Sequence, residues 1–194
     1  MKSKKIYIIL SVVFIFSIIS SLMPCIGYGQ TYRDNLIIPS HKIFENILKY
    51  QRRKDYEKIG KLIDMTSNLI ANLDKKYKMN IESRLKKSLK DKNDDEIIRF
   101  TYKLIILDMK DLFGNGIDFM KVSSEYKEKA NAKFKTAYLD YLVLSPIMEK
   151  KDFNSDLIIK NKFRKAVTTN IKHDEAGKII KEIEDKINNI LLKD

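Results

Sequence analysis

The sequence holds one cysteine, two histidines and no tryptophan. A lone Cys cannot build a disulfide framework, and so few Cys and His residues cannot supply a zinc finger or a haem-attachment motif. Glycine and proline are scarce as well, six and three in 194 residues. All-β sandwiches and nucleotide-binding α/β folds need many more turn glycines, so both are disfavoured. The signatures H-E-x-x-H, G-x-S-x-G, G-K-[ST] and G-x-G-x-x-G are missing, and with them the usual machinery of zinc hydrolysis, acyl transfer and phosphate binding. An enzyme is not expected. Acidic side chains are in the minority, 26 against 38 basic ones, for a net charge of +12. Hydrophobic residues at 44% and charged residues at 33% make a globular mixture rather than a disordered one.

Residues 1–29 differ from the rest. Lys2, Lys4 and Lys5 give a positive start, and Ile6 to Met23 then runs for 18 residues without a charge. Pro24 ends the run, and Gly27-Tyr28-Gly29 offers a small-x-small cleavage pattern before Gln30. This is the three-part layout of a secretory signal. A run of that length also suffices for an uncleaved membrane anchor. Leu22-Met23-Pro24-Cys25 places Leu three residues before a Cys, as in a lipoprotein signal, although that motif wants a small residue where Pro24 stands. Each reading puts residues 30–194 outside the cytoplasm, exported to the periplasm or cell envelope, as one domain behind a signal or anchor segment over 1–29.

Removal of residues 1–29 takes away three lysines and no acid, leaving 35 basic against 26 acidic side chains and a charge of +9. Such a surface favours anionic partners. Nucleic acid is not expected for an exported chain, and the pairing of aromatics with Arg that it needs is confined to Tyr32-Arg33 and Tyr50-Gln51-Arg52-Arg53. An anionic membrane surface, or a membrane protein, is the expected partner, with Arg52, Arg53 and Lys54 as the lipid-facing cluster.

Helical periodicity runs through the mature chain. Ser40 is expected to cap a first helix through Ile43, Phe44, Ile47 and Leu48. Asp55 caps a second, whose stripe from Tyr56 to Leu73 steps by three and four. A shorter helix follows over about 79–90. The acids of Asn93-Asp94-Asp95-Glu96 then open the most apolar helix, about 95–113, which reads as central and buried on most sides. Gly114-Asn115-Gly116 is expected to stop it. Ser123 or Ser124 begins a long helix with the stripe Ala130, Phe134, Ala137, Tyr138, Tyr141, Leu142, Ser145 and Met148, which Pro146 should kink or end. Asn154-Ser155-Asp156 and Asp174 cap two more, the last with i,i+4 pairs Lys178/Glu182 and Glu182/Lys186. The expected fold is all-α, an antiparallel bundle of five to seven helices after the N-terminal segment.

Polar groups inside the apolar helices are the candidate site. Asp108 and Asp111 interrupt the central helix at i,i+3, and Tyr138 and Tyr141 lie on the helix that should pack beside it. Carboxylate and phenolate oxygens suit a hard cation such as ferric iron. The alternative is that the acids pair with Lys or accept from tyrosine hydroxyls, as buried polar groups do. His41 with Glu45 at i,i+4, and His173-Asp174-Glu175 at a helix start, are weaker metal-ligand spacings, since two ligands from one helix do not complete a site. No resident cofactor is expected, and a metal ion is the only alternative.

One stretch carries a family resemblance. Ala130-x3-Phe134-x2-Ala137-Tyr138-x2-Tyr141-x4-Pro146 is followed by Lys150-Lys151-Asp152, then by Leu157, Phe163, Arg164 and Val167 and a final Ile-rich helix. This resembles the extracytoplasmic helical region that precedes the membrane part of bacterial oxidase-linked iron permeases, which repeats A-Y-x2-Y/F-x2-E-P, an acidic turn, and I-E-x2-F-x2-L-R. Ser145 stands where the pattern has Glu, Lys160 follows Ile159 where it has Glu, and Ala166-Val167 replaces L-R. The R-E-G-x-E motif of the permeases has no counterpart. The resemblance implies an extracytoplasmic module associated with iron handling and assigns no ligand residue. Two functions follow: a binding or accessory module, serving a metal or a membrane transport partner, or a structural protein of the membrane surface with no small ligand.

Overall fold

The computed structural model describes residues 38–168 and 172–191. The N-terminal segment over 1–29, with Cys25, and the Tyr32-Arg33 pair lie outside the described residues. The described residues all belong to one compact unit. The described residues form eight α-helices and no strand, so the fold is all-α. Among them no helix is long and apolar enough to cross a membrane.

The helices are α1 (Ser40–Arg52), α2 (Tyr56–Met65), α3 (Ser67–Tyr77), α4 (Ile81–Lys90), α5 (Asp94–Val122), α6 (Lys127–Lys151), α7 (Phe153–Thr168) and α8 (His173–Leu191), with a 3₁₀ turn over Ser124–Tyr126. The expected second helix is two, and Thr66 divides it. The Thr66 hydroxyl donates to the carbonyls of Leu62 at 2.8 Å and Ile63 at 3.2 Å. Bonding back to the preceding turn in this way bends a helix. The stripe continues across the bend, and Ile59, Leu62, Ile63, Leu69, Ile70 and Leu73 are all buried.

α5 is the axis of the bundle. It packs most extensively on α6 and also meets α1, α3, α4 and α8, which is why its apolar residues cover more than one face. Asn93 caps it by accepting from the Glu96 N–H at 3.2 Å. The expected stop at Gly114-Asn115-Gly116 does not occur, for α5 runs on to Val122. Gly116 is buried in that helix against the ring of Phe134 in α6, so the glycine allows two helices to approach instead of ending one. Pro146 likewise does not end its helix, since α6 continues to Lys151. Proline has no N–H to give the Leu142 carbonyl one turn back.

Three caps differ from expectation. Pro39, not Ser40, precedes α1, and the Ser40 hydroxyl donates instead to Asp140 of α6 at 3.4 Å. Asp152 takes the capping position of α7 by accepting from the Ser155 N–H at 3.0 Å. Asp174 lies within the first turn of α8, which begins at His173. On the outer face of α8, Glu182 accepts from Lys162 of α7 rather than standing only among the lysines of its own helix. Asp55 is the cap expected for α2, taking the Lys58 N–H at 3.3 Å.

The scarcity of glycine has a local consequence. Lys54, Lys78 and Lys92, each following a helix, hold left-handed φ values of 56°, 52° and 52°. Glycine is the residue that enters this region without steric cost. Lys78 is exposed, and both its N–H and that of Met79 return to the Asp74 carbonyl. Lys78→Gly should therefore raise stability by about 1 kcal/mol, the order of the left-handed penalty it relieves. A urea titration checks this: an unchanged or lowered midpoint would show that the Lys side chain contributes more than its backbone conformation costs.

Candidate functional site

Asp111 and Tyr141, both expected to face one site, are engaged in separate networks. Asp111 is buried on α5, where its Oδ1 accepts from Lys76 Nζ of α3 at 2.6 Å. Its Oδ2 accepts from Asn115 one turn on at 3.2 Å. Tyr141 is fully buried on α6 and donates its hydroxyl to Asp156 Oδ1 of α7 at 2.6 Å. Lys160 Nζ closes on the other oxygen of Asp156 at 2.7 Å, and the Ser145 hydroxyl adds a third bond. Burial alone would raise the Asp156 pKa, but the bonds from Lys160, Tyr141 and Ser145 outweigh it and hold the carboxyl below its ordinary value. Burial first, and then the adjacent Asp156, push the Tyr141 phenol well above its ordinary range. In this arrangement it is a protonated donor at neutral pH.

Tyr138 is half-buried, with its ring 5.2 Å from Phe163. Tyr141 and Phe113 meet the same ring at 5.5 and 5.6 Å. The aromatic positions that carry the resemblance are thus the ones by which α6, α7 and α5 pack. Ser145 and Lys160, two positions where the sequence departs from the permease pattern, both bond Asp156. Asp108 is fully buried on α5 and Asp140 on α6. Among the described residues no three Asp, Glu, His or Cys side chains gather as a metal ion would require.

The weaker pairs are also engaged. Glu45 accepts from Lys42 at 2.8 Å, and that bond holds its carboxyl below the ordinary value. Burial and the neighbouring Lys42 lower the His41 pKa, and its buried Nδ1 makes no hydrogen bond among the described residues. His173 Nδ1 stands 3.0 Å from Asp174, while Glu175 pairs across to Lys165.

What the sequence reading did not find is a groove of about 580 Å³ between α1, α5 and α6. Its α1 wall presents His41, Lys42, Glu45, Leu48, Gln51 and Arg52, a face that recurs at each helical turn. Ile98 and Tyr102 of α5 lie on a second side. The third wall is α6, with Leu139, Leu142, Val143, Pro146 and Ile147. Leu139 and Leu142 are 41% and 39% exposed, so the wall is apolar and open. Leu142 had been expected in the buried stripe. The legible signal was the spacing 139, 142/143, 146/147, a second apolar stripe on α6 beside the one that packs the core. Of the basic cluster, Arg52 lines this groove, Arg53 is exposed, and Lys54 reaches toward Asp94 at 3.9 Å. All three are exposed.

No protein-family model matches the chain, and no curated protein or solved structure is significantly similar to it.

Proposed function

We propose that this chain is a non-enzymatic extracytoplasmic binding module, an accessory to iron transport across the envelope, and that the α1/α5/α6 groove is its binding site. The observation that carries the reading is the groove itself. Two leucines are left a third or more exposed on a wall that a closed bundle would have covered. Its α6 wall is apolar and its α1 wall polar, and concave sites that set polar groups beside apolar lining are the usual form of small-molecule pockets. The link to iron rests on the resemblance over 130–192. Direct ligation of iron by Asp108, Asp111, Tyr138 and Tyr141 gains no support from the geometry, because Asp111 and Tyr141 already hold other partners. The groove, not that set, is therefore assigned the binding role.

Iron accumulation in the host tests this. Deleting the gene should lower uptake of radiolabelled iron, and the full chain should restore it. Leu142→Glu, which places a charge on the apolar wall, should fail to restore uptake, whereas Met65→Glu, at a half-exposed position on α2, should succeed. Uptake indifferent to the deletion would remove the iron link, and full rescue by Leu142→Glu would remove the groove.

The second reading, a membrane-surface protein without a small ligand, draws on the charge of +9 and on Arg53, which is exposed and makes no ion pair among the described residues. Binding to anionic but not neutral vesicles, lost in Arg53→Glu and kept in Leu142→Glu, would favour it.

A further inference from the structure

We infer that the groove takes a single-chain anionic amphiphile, with its acyl chain along the α6 wall between Leu48 of α1 and Ile98 of α5 and its head group at Arg52. The inference rests on the groove being the binding site and names what it binds.

Shape comes first. α1 lines the groove from His41 to Arg52, and at about 1.5 Å per residue that is a channel of about 16 Å. The Ser40 to Asp140 bond ties the start of α1 to α6 beside Leu139. At the far end Arg52 lies close enough to Tyr102 to oppose the effect of burial on that phenol.

Charge comes next. Lys42 is already satisfied by Glu45 at 2.8 Å. Arg52 forms no ion pair among the described residues, and its guanidinium presents the planar fork suited to a carboxylate or a phosphate. Between these ends stand Leu48, Tyr102, Leu139, Leu142, Val143 and Ile147.

The backbone argues against an extended peptide. The walls are helices whose N–H and C=O groups are used internally, apart from the Leu142 carbonyl that Pro146 leaves without its helical donor. An extended peptide laid here would find almost no main-chain partners, and buried amides without partners are costly. An acyl chain has no such groups to satisfy. Its carboxylate could come from a free fatty acid or its phosphate from a lysophospholipid, the shared chemistry being one anionic head on one chain.

The test uses the full chain purified from the envelope into nanodiscs of neutral phosphatidylcholine. It is irradiated with diazirine-bearing palmitate, with a diazirine-bearing lysophosphatidic acid, and with the matching uncharged acyl alcohol. Saturable labelling of α1, α5 and α6 peptides is expected from the anionic probes. The alcohol should need about tenfold more, the factor set by loss of one charge-assisted hydrogen bond. Labelling by palmitate alone assigns the source to free fatty acid, and labelling by the lysolipid alone assigns it to membrane lipid. Arg52→Gln should raise the half-labelling concentration of the anionic probes about tenfold and leave the alcohol unchanged, a contrast that an unfolded variant cannot produce. Leu142→Glu should abolish labelling by all three probes while circular dichroism stays helical. Equal labelling by acid and alcohol, unaffected by Arg52→Gln, would overturn the anionic ligand and leave the groove a binding site. No groove labelling by any probe would overturn the ligand class outright. The iron-uptake result with Leu142→Glu then shows separately whether the groove reading falls with it.

Discussion

Asp156→Ala should destabilise the bundle by about 3–5 kcal/mol, the range for removing one partner of a buried ion pair. Asp156 is 2% exposed and receives Tyr141 at 2.6 Å, Lys160 at 2.7 Å and a third bond from Ser145. The alanine leaves the Tyr141 hydroxyl in the core without an acceptor and strips Lys160, whose side chain is 25% exposed, of its counter-charge. In a chain of this size the loss corresponds to a melting temperature lower by roughly 10 °C. The triple change Asp156→Leu, Tyr141→Phe and Lys160→Met should recover most of the loss, because apolar residues of similar shape avoid the unpaired groups. A fall of less than about 1 kcal/mol for Asp156→Ala, as for an exposed pair, would show that water already reaches the carboxylate.

The same residue gives a pH dependence with a fixed sign. Its folded-state pKa lies below the ordinary 3.8. A depressed carboxyl contributes stability that is fully present above its unfolded pKa and is lost as pH falls through the lower folded value. Wild type and Asp156→Asn should therefore differ by a constant amount above about pH 5 and converge on acidification below about pH 4. A gap that widened toward low pH would reverse the assignment and mean that the carboxyl is held protonated.

The fold was largely legible because its information is local. The stripes from Ile59 to Leu73 and from Ile179 to Ile187 lie on the buried faces that their spacing dictates. The bend at Thr66 was hidden because threonine is neutral to periodicity, and only its hydroxyl bonds to Leu62 and Ile63 mark it. Capping was less legible, since one carboxylate can serve another element. Asp74 lies on α3, yet it accepts from the Ile81 and Glu82 N–H groups at the start of α4, at 2.8 and 3.1 Å. Nothing in the residues around Ile81 announces that.

The candidate site was legible only as a set of polar residues within apolar helices. Which partner each would take depends on the rotation of α3 and α7 against α5 and α6, which sequence spacing along one helix does not fix. Lys76 lies 35 residues from Asp111, and Tyr141 lies 15 from Asp156. The groove stayed hidden for the same reason. Leu139, Leu142 and Ile147 read as ordinary helical apolar residues until α1 is placed beside them.

Gly116 and Gly114, two residues apart on α5, should respond to alanine with opposite signs. A Cβ on Gly114 meets nothing within 4 Å, so Gly114→Ala should stabilise by about 0.5–1 kcal/mol through helix propensity alone. A Cβ on Gly116 would overlap Cε1 of Phe134 and lie 2.9 Å from Cδ1. The ring cannot turn aside freely, because Phe134 is 1% exposed inside the α5/α6 contact. Overpacking of this kind costs about 1–3 kcal/mol, which meets or exceeds the propensity gain, and Gly116→Leu should reach the upper end or beyond. Phe134→Leu in the Gly116→Ala background separates close helix approach from any backbone cause. The shorter side chain should cost less in that background than in wild type, a coupling of the kind neighbouring residues show. Strictly additive effects would mean that α5 and α6 do not press on each other at Gly116. The chain would then have kept a glycine inside α5 for a reason other than packing.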